Sequence, residues 1–382
     1  MYPTISFALE SLFGINLPLP IQTFGFFMAL AFVTGTLISY KEFKRLEGDK
    51  ILYAIPEKVI IGAPASIWEI ILNAFLGFLL GFKGLAMAMN WRTFSDDPQS
   101  FILSNEGNVL GGIVLALVFG LLKHYEKQKT RLDKPIEKEV MVYPHERLGD
   151  MVIIAAIVGI LGSKVFTWIE DWQGFLQDPI GAITAFSGMT YYGGLISAAI
   201  VLLIYGKKKH IPVPRLADVA APALIMGYGV GRLGCHFSGD GDWGIANTAA
   251  KPFSFLPDWL WSYTYPNNVI NAGEKMADCV GKFCYELPVG VYPTSAYEFL
   301  LAGSIFLILW SLRKHLKVPG LIFALYLVLN GIERFMIETI RVNDRYDYLL
   351  NFSQAQTIAV GLMLTGVLVG IIAYQANKTA TS

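Results

Sequence analysis

Charge is scarce in this chain. Only 16% of its 382 residues are Asp, Glu, Lys or Arg, and the 30 basic residues cancel the 30 acidic ones. So little charge excludes a soluble multidomain protein. Chemistry-bearing signatures are missing too: there is no two-histidine zinc motif, no Gly-x-Ser-x-Gly elbow and no P-loop. Their absence argues against protease, esterase and ATPase readings. Asp240-Gly-Asp242 starts like a calcium loop, but the regular ligand positions and terminal glutamate do not follow, so no metal site is expected. No internal repeat or low-complexity tract is present. Residues 1–20 lack Lys and Arg, and no small-residue cleavage site follows an apolar core, so the first span is expected to be an uncleaved anchor.

What is abundant is apolar surface: 54% of the residues are hydrophobic. They gather in windows long enough to cross a bilayer, for which about 20 residues suffice. Nine are read, at roughly 21–40, 65–90, 108–123, 151–170, 187–205, 216–236, 293–312, 319–340 and 355–375. The expected class is therefore an all-α polytopic membrane protein of about nine transmembrane helices with a small outer-face domain.

The basic residues fix an orientation. Loops 41–63, 123–150, 206–215 and 313–318 and the tail 376–382 hold 20 Lys and Arg, whereas the alternate segments hold six. The positive-inside rule then puts the N-terminus outside and the C-terminus in the cytoplasm. The basic loop 123–150 is a solvated flank on this reading, not a nucleic-acid site. Residues 1–20 contain an amphipathic stretch, Thr4–Gly14, suited to the outer interface. The outer segment 237–292 is long enough for a head domain and rich in Trp and Tyr, which favour the headgroup layer. It carries Cys279 and Cys284, and spacing alone leaves a disulfide and two free thiols both open. In the second span Gly77-x3-Gly81 offers a small-residue packing face, and Glu69, Asn73 and Lys83 form a polar stripe read as structural.

Four clusters carry the chemistry. In Gly231-Arg-Leu-Gly-Cys-His-Phe-Ser-Gly-Asp-Gly-Asp-Trp-Gly244, Arg232 lies at the end of an apolar helix. A cation there costs ~2.5–3.5 kcal/mol, so it requires a counter-ion or an anionic ligand such as lipid phosphate. His236, Asp240 and Asp242 accompany it. The second cluster, Ser187–Gly194, combines Tyr191 and Tyr192 with the pair Gly193 and Gly194. Its glycines suit tight helix packing or close ligand approach. The third, Tyr292–Glu298, sets Tyr297 and the carboxylate of Glu298 inside an apolar run. In the fourth, Tyr326, Asn330, Arg334, Glu338 and Arg341 share one helical face. Glu338 would then lie one turn from each arginine. The bland reading is an ion-pair ladder; the sharper one leaves one arginine free to fork onto a phosphodiester.

These motifs, in this order, resemble those of the prolipoprotein diacylglyceryl transferase family. The family's Gly-Arg-x-Gly-Asn signature with a following acid and glycine looks like Gly231–Gly234, Asp240 and Trp243-Gly244. Its His-Gly-Gly-Leu-Ile looks like Tyr192–Ile196, its Pro-Ser-Gln-x-Tyr-Glu like Pro293–Glu298, and its Arg-Phe-x-x-Glu-x-x-Arg like Arg334–Arg341. Two departures stand out. Tyr192 replaces the family histidine, and the signature asparagine falls on Cys235 or His236 because the motif is one residue longer.

The resemblance implies a bacterial inner-membrane enzyme. It would move a diacylglyceryl group from phosphatidylglycerol to the lipobox cysteine of a prolipoprotein signal peptide, with no soluble cofactor. Arg232 and Arg334 would grip the phosphate, Glu338 would orient Arg334, and Asp240, Tyr192 or His236 would assist thiol deprotonation. Arg341, Gly193, Gly194, Tyr297, Glu298 and Asn330 would complete the phosphatidylglycerol site. Residues 41–150, with two spans, look like an insertion into a seven-helix family core formed by 21–40, 151–236 and 293–382. An anionic lipid or solute transporter is the rival reading.

Overall fold

The computed structural model describes the chain except residues 18, 20, 97–100, 103, 185–189, 280, 344, 347–350 and 382, and the side chains of 96, 184, 191, 345, 346, 380 and 381. Among the described residues the long helices are α1 (Ile5–Phe13), α2 (Thr23–Gly48), α3 (Ile67–Met89), α4 (Val109–Lys129), α5 (Leu148–Glu170), α6 (Tyr191–Lys208), α7 (Val213–Ser238), α8 (Thr294–Leu312), α9 (Leu321–Ile337) and α10 (Gln354–Thr381). Six of the described helices are long and apolar enough to cross a membrane: α2, α3, α4, α5 with the preceding turn from Pro144, α8 and α10. The chain is thus a helical, multi-pass membrane protein. The windows at 187–205, 216–236 and 319–340 also contain helices, namely α6, α7 and α9.

The helices belong to two compact units. The smaller contains residues 54–143 with 17–20. Here α3 packs antiparallel on α4 along a glycine seam. A Cβ on Gly81 would lie 2.1 Å from the Gly111 carbonyl oxygen, and one on Gly77 would lie 2.4 Å from that of Leu115. Only glycine permits this approach. The polar stripe of α3 has structural partners: Glu69 closes a capping box with Ser66 and pairs with Lys127, and Asn73 bonds the Glu69 carbonyl. Lys83 donates to the carbonyls of Phe101, Ser104 and Glu106 at 2.6–2.9 Å. Beyond the helices, β1 (Ile55–Ile61) pairs antiparallel with β2 (Ile136–Val142), with Ile55 opposite Val142. This ribbon departs from a purely helical chain. Its strands lie about 80 residues apart and their exposed faces mix apolar and charged residues, so no clean period-two pattern announces them.

The larger unit is built around α7, which packs on α2, α8 and α9. Its Ala221 and Ile225, with Ala302, Leu309 and Ile322, form an apolar core. Two close approaches position the end of α7 that carries the arginine. Gly229 meets Ala302 of α8, and Gly234 meets Phe27 of α2, each with room for no more than a hydrogen. At the other end the buried Asp218 carboxylate accepts from the backbone N–H groups of Gly320 and Phe323 at 2.8 and 3.0 Å, capping α9 from a neighbouring helix. Such a cap ties α9, which carries Arg334, to α7, which carries Arg232.

Segment 237–292 is ordered by side chains in place of regular structure. Buried Asn268 donates to the carbonyls of Tyr265, Ala272 and Tyr285 and accepts from the Ala272 amide. The short strands β3 (Glu274–Lys275) and β4 (Tyr285–Glu286) pair nearby, and Cys279 and Cys284 are joined by a disulfide.

Candidate active site

Helix α7 ends at Ser238 because Gly239 adopts the left-handed conformation, φ 66°. Gly241, at φ 101°, turns the chain back, and the Asp242 amide bonds Asp240 Oδ1 at 3.2 Å. This turn brings Asp242 over the end of the helix that carries Arg232. The Asp242 carbonyl accepts from Thr294 Oγ1 at 3.1 Å, which ties the turn to the first residue of α8. Gly244 bonds the Tyr292 carbonyl and forms a bridge with Arg341. A Cβ there would lie 2.4 Å from the Ile340 carbonyl oxygen. Gly244→Ala should therefore destabilise the protein by about 1–3 kcal/mol, as overpacking does. Thermal unfolding of the purified variant in detergent checks this, and an unchanged midpoint would refute it.

Three helices, α7, α8 and α9, and the segment after α9 meet at Glu298. Its side chain, fully buried one turn into α8, accepts from Tyr228 Oη at 2.9 Å and Arg334 Nη1 at 3.0 Å. Arg232 Nε lies 3.2 Å from its other oxygen and Arg341 Nη1 3.5 Å from the first. Asp242 spans two of the same arginines, pairing with Arg232 Nη1 and, at 2.5 Å, with Arg341 Nη2. Glu338 holds Arg334 Nη2 at 3.1 Å and accepts from Ser353 Oγ and Asn343 Nδ2. The Tyr228 ring lies 5.1 Å from the Arg232 guanidinium carbon, a cation–π contact. Three guanidiniums thus face three carboxylates and balance them, the condition for charges to persist out of water.

This geometry corrects the expected ladder along one helix face. Helix α9 stops at Ile337 and a tighter turn spans Glu338–Ile340. The change of pitch swings Arg341 off the face, so it pairs with Asp242 and Glu298 while Glu338 keeps Arg334. No arginine of the three is left free, contrary to the sharper reading. All are held by carboxylates.

The remaining sequence-derived residues fall in several places. Asp240 is half-buried on the turn, and burial pushes its carboxyl above the ordinary range. Burial acts the same way on Asp242, but Arg232 and Arg341 outweigh it and hold that carboxyl below the ordinary range. Cys235 Sγ and carboxylate oxygens of both aspartates gather within 4.8 Å. Each Asp242 oxygen of this group is also paired with a guanidinium, of Arg232 or Arg341. His236 is buried and bonds Tyr265 Oη at 3.2 Å among the rings of Phe237, Trp259 and Tyr263. Its partners belong to the aromatic packing of segment 237–292. Tyr297 Oη donates to the Leu260 carbonyl at 2.8 Å. Gly193 and Gly194 lie in the seam between α6 and α5, against Phe166, Gly162, Ser163 and Gly159. Tyr192 is half-buried at the second position of α6, and Asn330 is half-buried on α9. Ser187–Met189 and the Tyr191 side chain lie outside the described residues.

One acid near the site is not marked by the sequence motifs, and another has a role they do not assign. Asp242, a member of the first cluster, lies two residues before Gly244 and pairs with Arg232 and Arg341. Glu333 precedes Arg334 and is buried on α9, with neither carboxylate oxygen hydrogen-bonded.

The sequence profile of the prolipoprotein diacylglyceryl transferase family matches residues 109–372. A phosphatidylglycerol–prolipoprotein diacylglyceryl transferase of Dehalococcoides mccartyi is 32% identical over 235 residues, 60% of this chain and 78% of the relative. Proteins of the same name from Staphylococcus xylosus and Bacillus cytotoxicus are 29% and 28% identical, over 72% and 62% of this chain and 89% and 80% of theirs. The chain belongs to the prolipoprotein diacylglyceryl transferase family.

Proposed function

We propose that the protein transfers a diacylglyceryl group from phosphatidylglycerol to the lipobox cysteine thiol of prolipoproteins, the first step of lipoprotein maturation. Family membership favours this transferase reading over an anionic lipid transporter. The single observation that carries the site assignment is the convergence of Arg232, Arg334 and Arg341 on Glu298. In the reaction the thiol loses its proton, sulfur bonds to the glyceryl carbon, and the carbon–oxygen bond to phosphate breaks to release glycerol phosphate. Charge builds on the departing phosphate, where fixed guanidiniums stabilise it most. Arg232, Arg334 and Arg341 supply them. Glu298 and Glu338 are positioning residues that aim the forks. The resemblance adds Gly193, Gly194, Tyr297 and Asn330 as residues flanking the lipid.

Asp240 is the favoured proton acceptor. It is half-buried beside the arginines, whereas His236 is bonded to Tyr265 and enclosed by rings. Tyr192 is the remaining alternative. A base must be ionised to act, so a carboxyl raised by burial loses activity at a higher pH than an exposed aspartate would. The acid limb of the kcat/KM profile should lie above the ordinary Asp range. Asp240→Asn should abolish that limb and lower the rate by about 10²–10⁴-fold. An unchanged limb in the variant would exclude Asp240.

The same reading has α6, α7 and α9 cross the bilayer as well, nine spans in all, in the bacterial inner membrane. The N-terminus and the 237–292 head domain face the periplasm, the C-terminus the cytoplasm, and residues 41–150 add two spans to a seven-helix core. The test is to incubate purified protein with phosphatidylglycerol and a lipobox peptide and to look by mass spectrometry for thioether-linked diacylglycerol. A well-folded protein that forms none refutes the assignment.

A further inference from the structure

The three carboxylates that neutralise the arginines are not equivalent. The side chains of Glu298 and Glu338 are 0% and 1% exposed, whereas that of Asp242 is 32% exposed. Glu298 and Glu338 project from α8 and from the turn that ends α9, and each has further partners in Tyr228 or in Ser353 and Asn343. Asp242 sits on a turn bounded by Gly239 and Gly244, with Gly241 in the left-handed region. Its side-chain contacts at the cluster are the two guanidiniums, one oxygen to each. A carboxylate that spans two forks in this way presents the same pair of acceptor oxygens as a phosphodiester.

Resting on the transferase reading, we infer that Asp242 is the resident anion of the lipid phosphate site and that phosphatidylglycerol binds by displacing it. Charge counting drives the exchange. The ion-paired carboxylates Glu298, Glu338 and Asp242 already match the three guanidiniums, so an added phosphodiester would bring negative charge with no cation left to compensate it where solvent is scarce. One carboxylate must leave. Asp242 is the exposed one, it alone stands on a glycine-flanked turn, and leaving takes it into water, where its charge is solvated. Exchange also selects among lipids. A headgroup without a formal negative charge has nothing to offer the arginines in return, so neutral lipids leave the aspartate in place.

The test compares binding of a short-chain phosphatidylglycerol to full-length wild-type protein and to Asp242→Asn, both purified in detergent and both passing a thermal-unfolding check. Asparagine keeps the size of the side chain and removes the competing charge. The variant should bind at least about tenfold more tightly, a shift of 1.4 kcal/mol, with little change for neutral diacylglycerol. Equal or weaker binding overturns the proposal. Should the variant fail to fold, wild-type protein suffices. A water-soluble carbodiimide with an amine nucleophile, read by peptide mass spectrometry, should modify Asp242 faster in phosphatidylglycerol than in diacylglycerol. Unchanged or slower modification overturns the exchange. The two levels separate cleanly. Wild-type protein that neither binds phosphatidylglycerol nor lipidates a lipobox peptide refutes the transferase reading, whereas wild-type protein that does both, alongside a variant that binds no tighter, refutes only the displacement.

Discussion

Replacing Arg334 by alanine is expected to cut diacylglyceryl transfer by about 10²–10³-fold, in protein that still inserts at normal levels. Arg334 bridges the cluster: one nitrogen reaches Glu298 and another Glu338. Two buried carboxylates therefore fix its plane before substrate arrives, and a fork held in place costs nothing to orient when charge develops on the phosphate. Lysine restores the charge but not the fork. Its single ammonium cannot hold two carboxylates and a phosphate in one plane, so Arg334→Lys should recover little of the lost rate. Arg232→Ala should be impaired on the same scale, because Arg232 presents its guanidinium between Glu298 and Asp242. Lipidation of a lipobox peptide at saturating phosphatidylglycerol checks both. Full activity in either variant would remove that residue from the mechanism.

The second large effect concerns Glu298. Glu298→Ala leaves three arginines of a buried cluster without their common partner and strips Tyr228 of its acceptor. Breaking one side of a buried charge pair costs roughly 3–5 kcal/mol, so this variant should unfold well below the wild-type temperature and accumulate poorly. Glu298→Gln separates charge from shape. The amide oxygen still accepts from Tyr228, but the NH2 group now faces a guanidinium. We expect it to fold with a smaller loss of stability and to transfer diacylglycerol at a small fraction of the wild-type rate. Unfolding midpoints and rates of the two variants, compared side by side, check this. An alanine variant with wild-type stability would show that the cluster is solvated and that the burial argument fails.

Much of this was written in the sequence at short range. Apolar windows of bilayer length mark the helices because lipid forbids long polar runs, and the arginines stand out because so few charges sit inside such windows. Partners were harder to assign. Glu338 and Arg341 lie three residues apart, a spacing that predicts contact on a continuous helix. The structure ends α9 between Arg334 and Glu338, and the pairing changes with the pitch. The Asp242 pairing depends on two left-handed glycines and on the close approach of the Ile340 carbonyl to Gly244, none of which spacing encodes. The capping of α9 by Asp218, about 100 residues earlier in the chain, and the pairing of β1 with β2 are likewise products of tertiary contact. Cys279 and Cys284 were legible as neighbours but not as a bonded pair, because oxidation state is not a property of spacing.

The most direct measurement is the position of the phosphorus atom of phosphatidylglycerol bound to the protein in an experimental structure. The account predicts phosphate oxygens about 2.8 Å from guanidinium nitrogens of Arg232, Arg334 and Arg341, with Glu298 still buried beneath them and the Asp242 carboxylate turned away. A phosphate seated elsewhere, with all three arginines still closed on Asp242, Glu298 and Glu338, would contradict it.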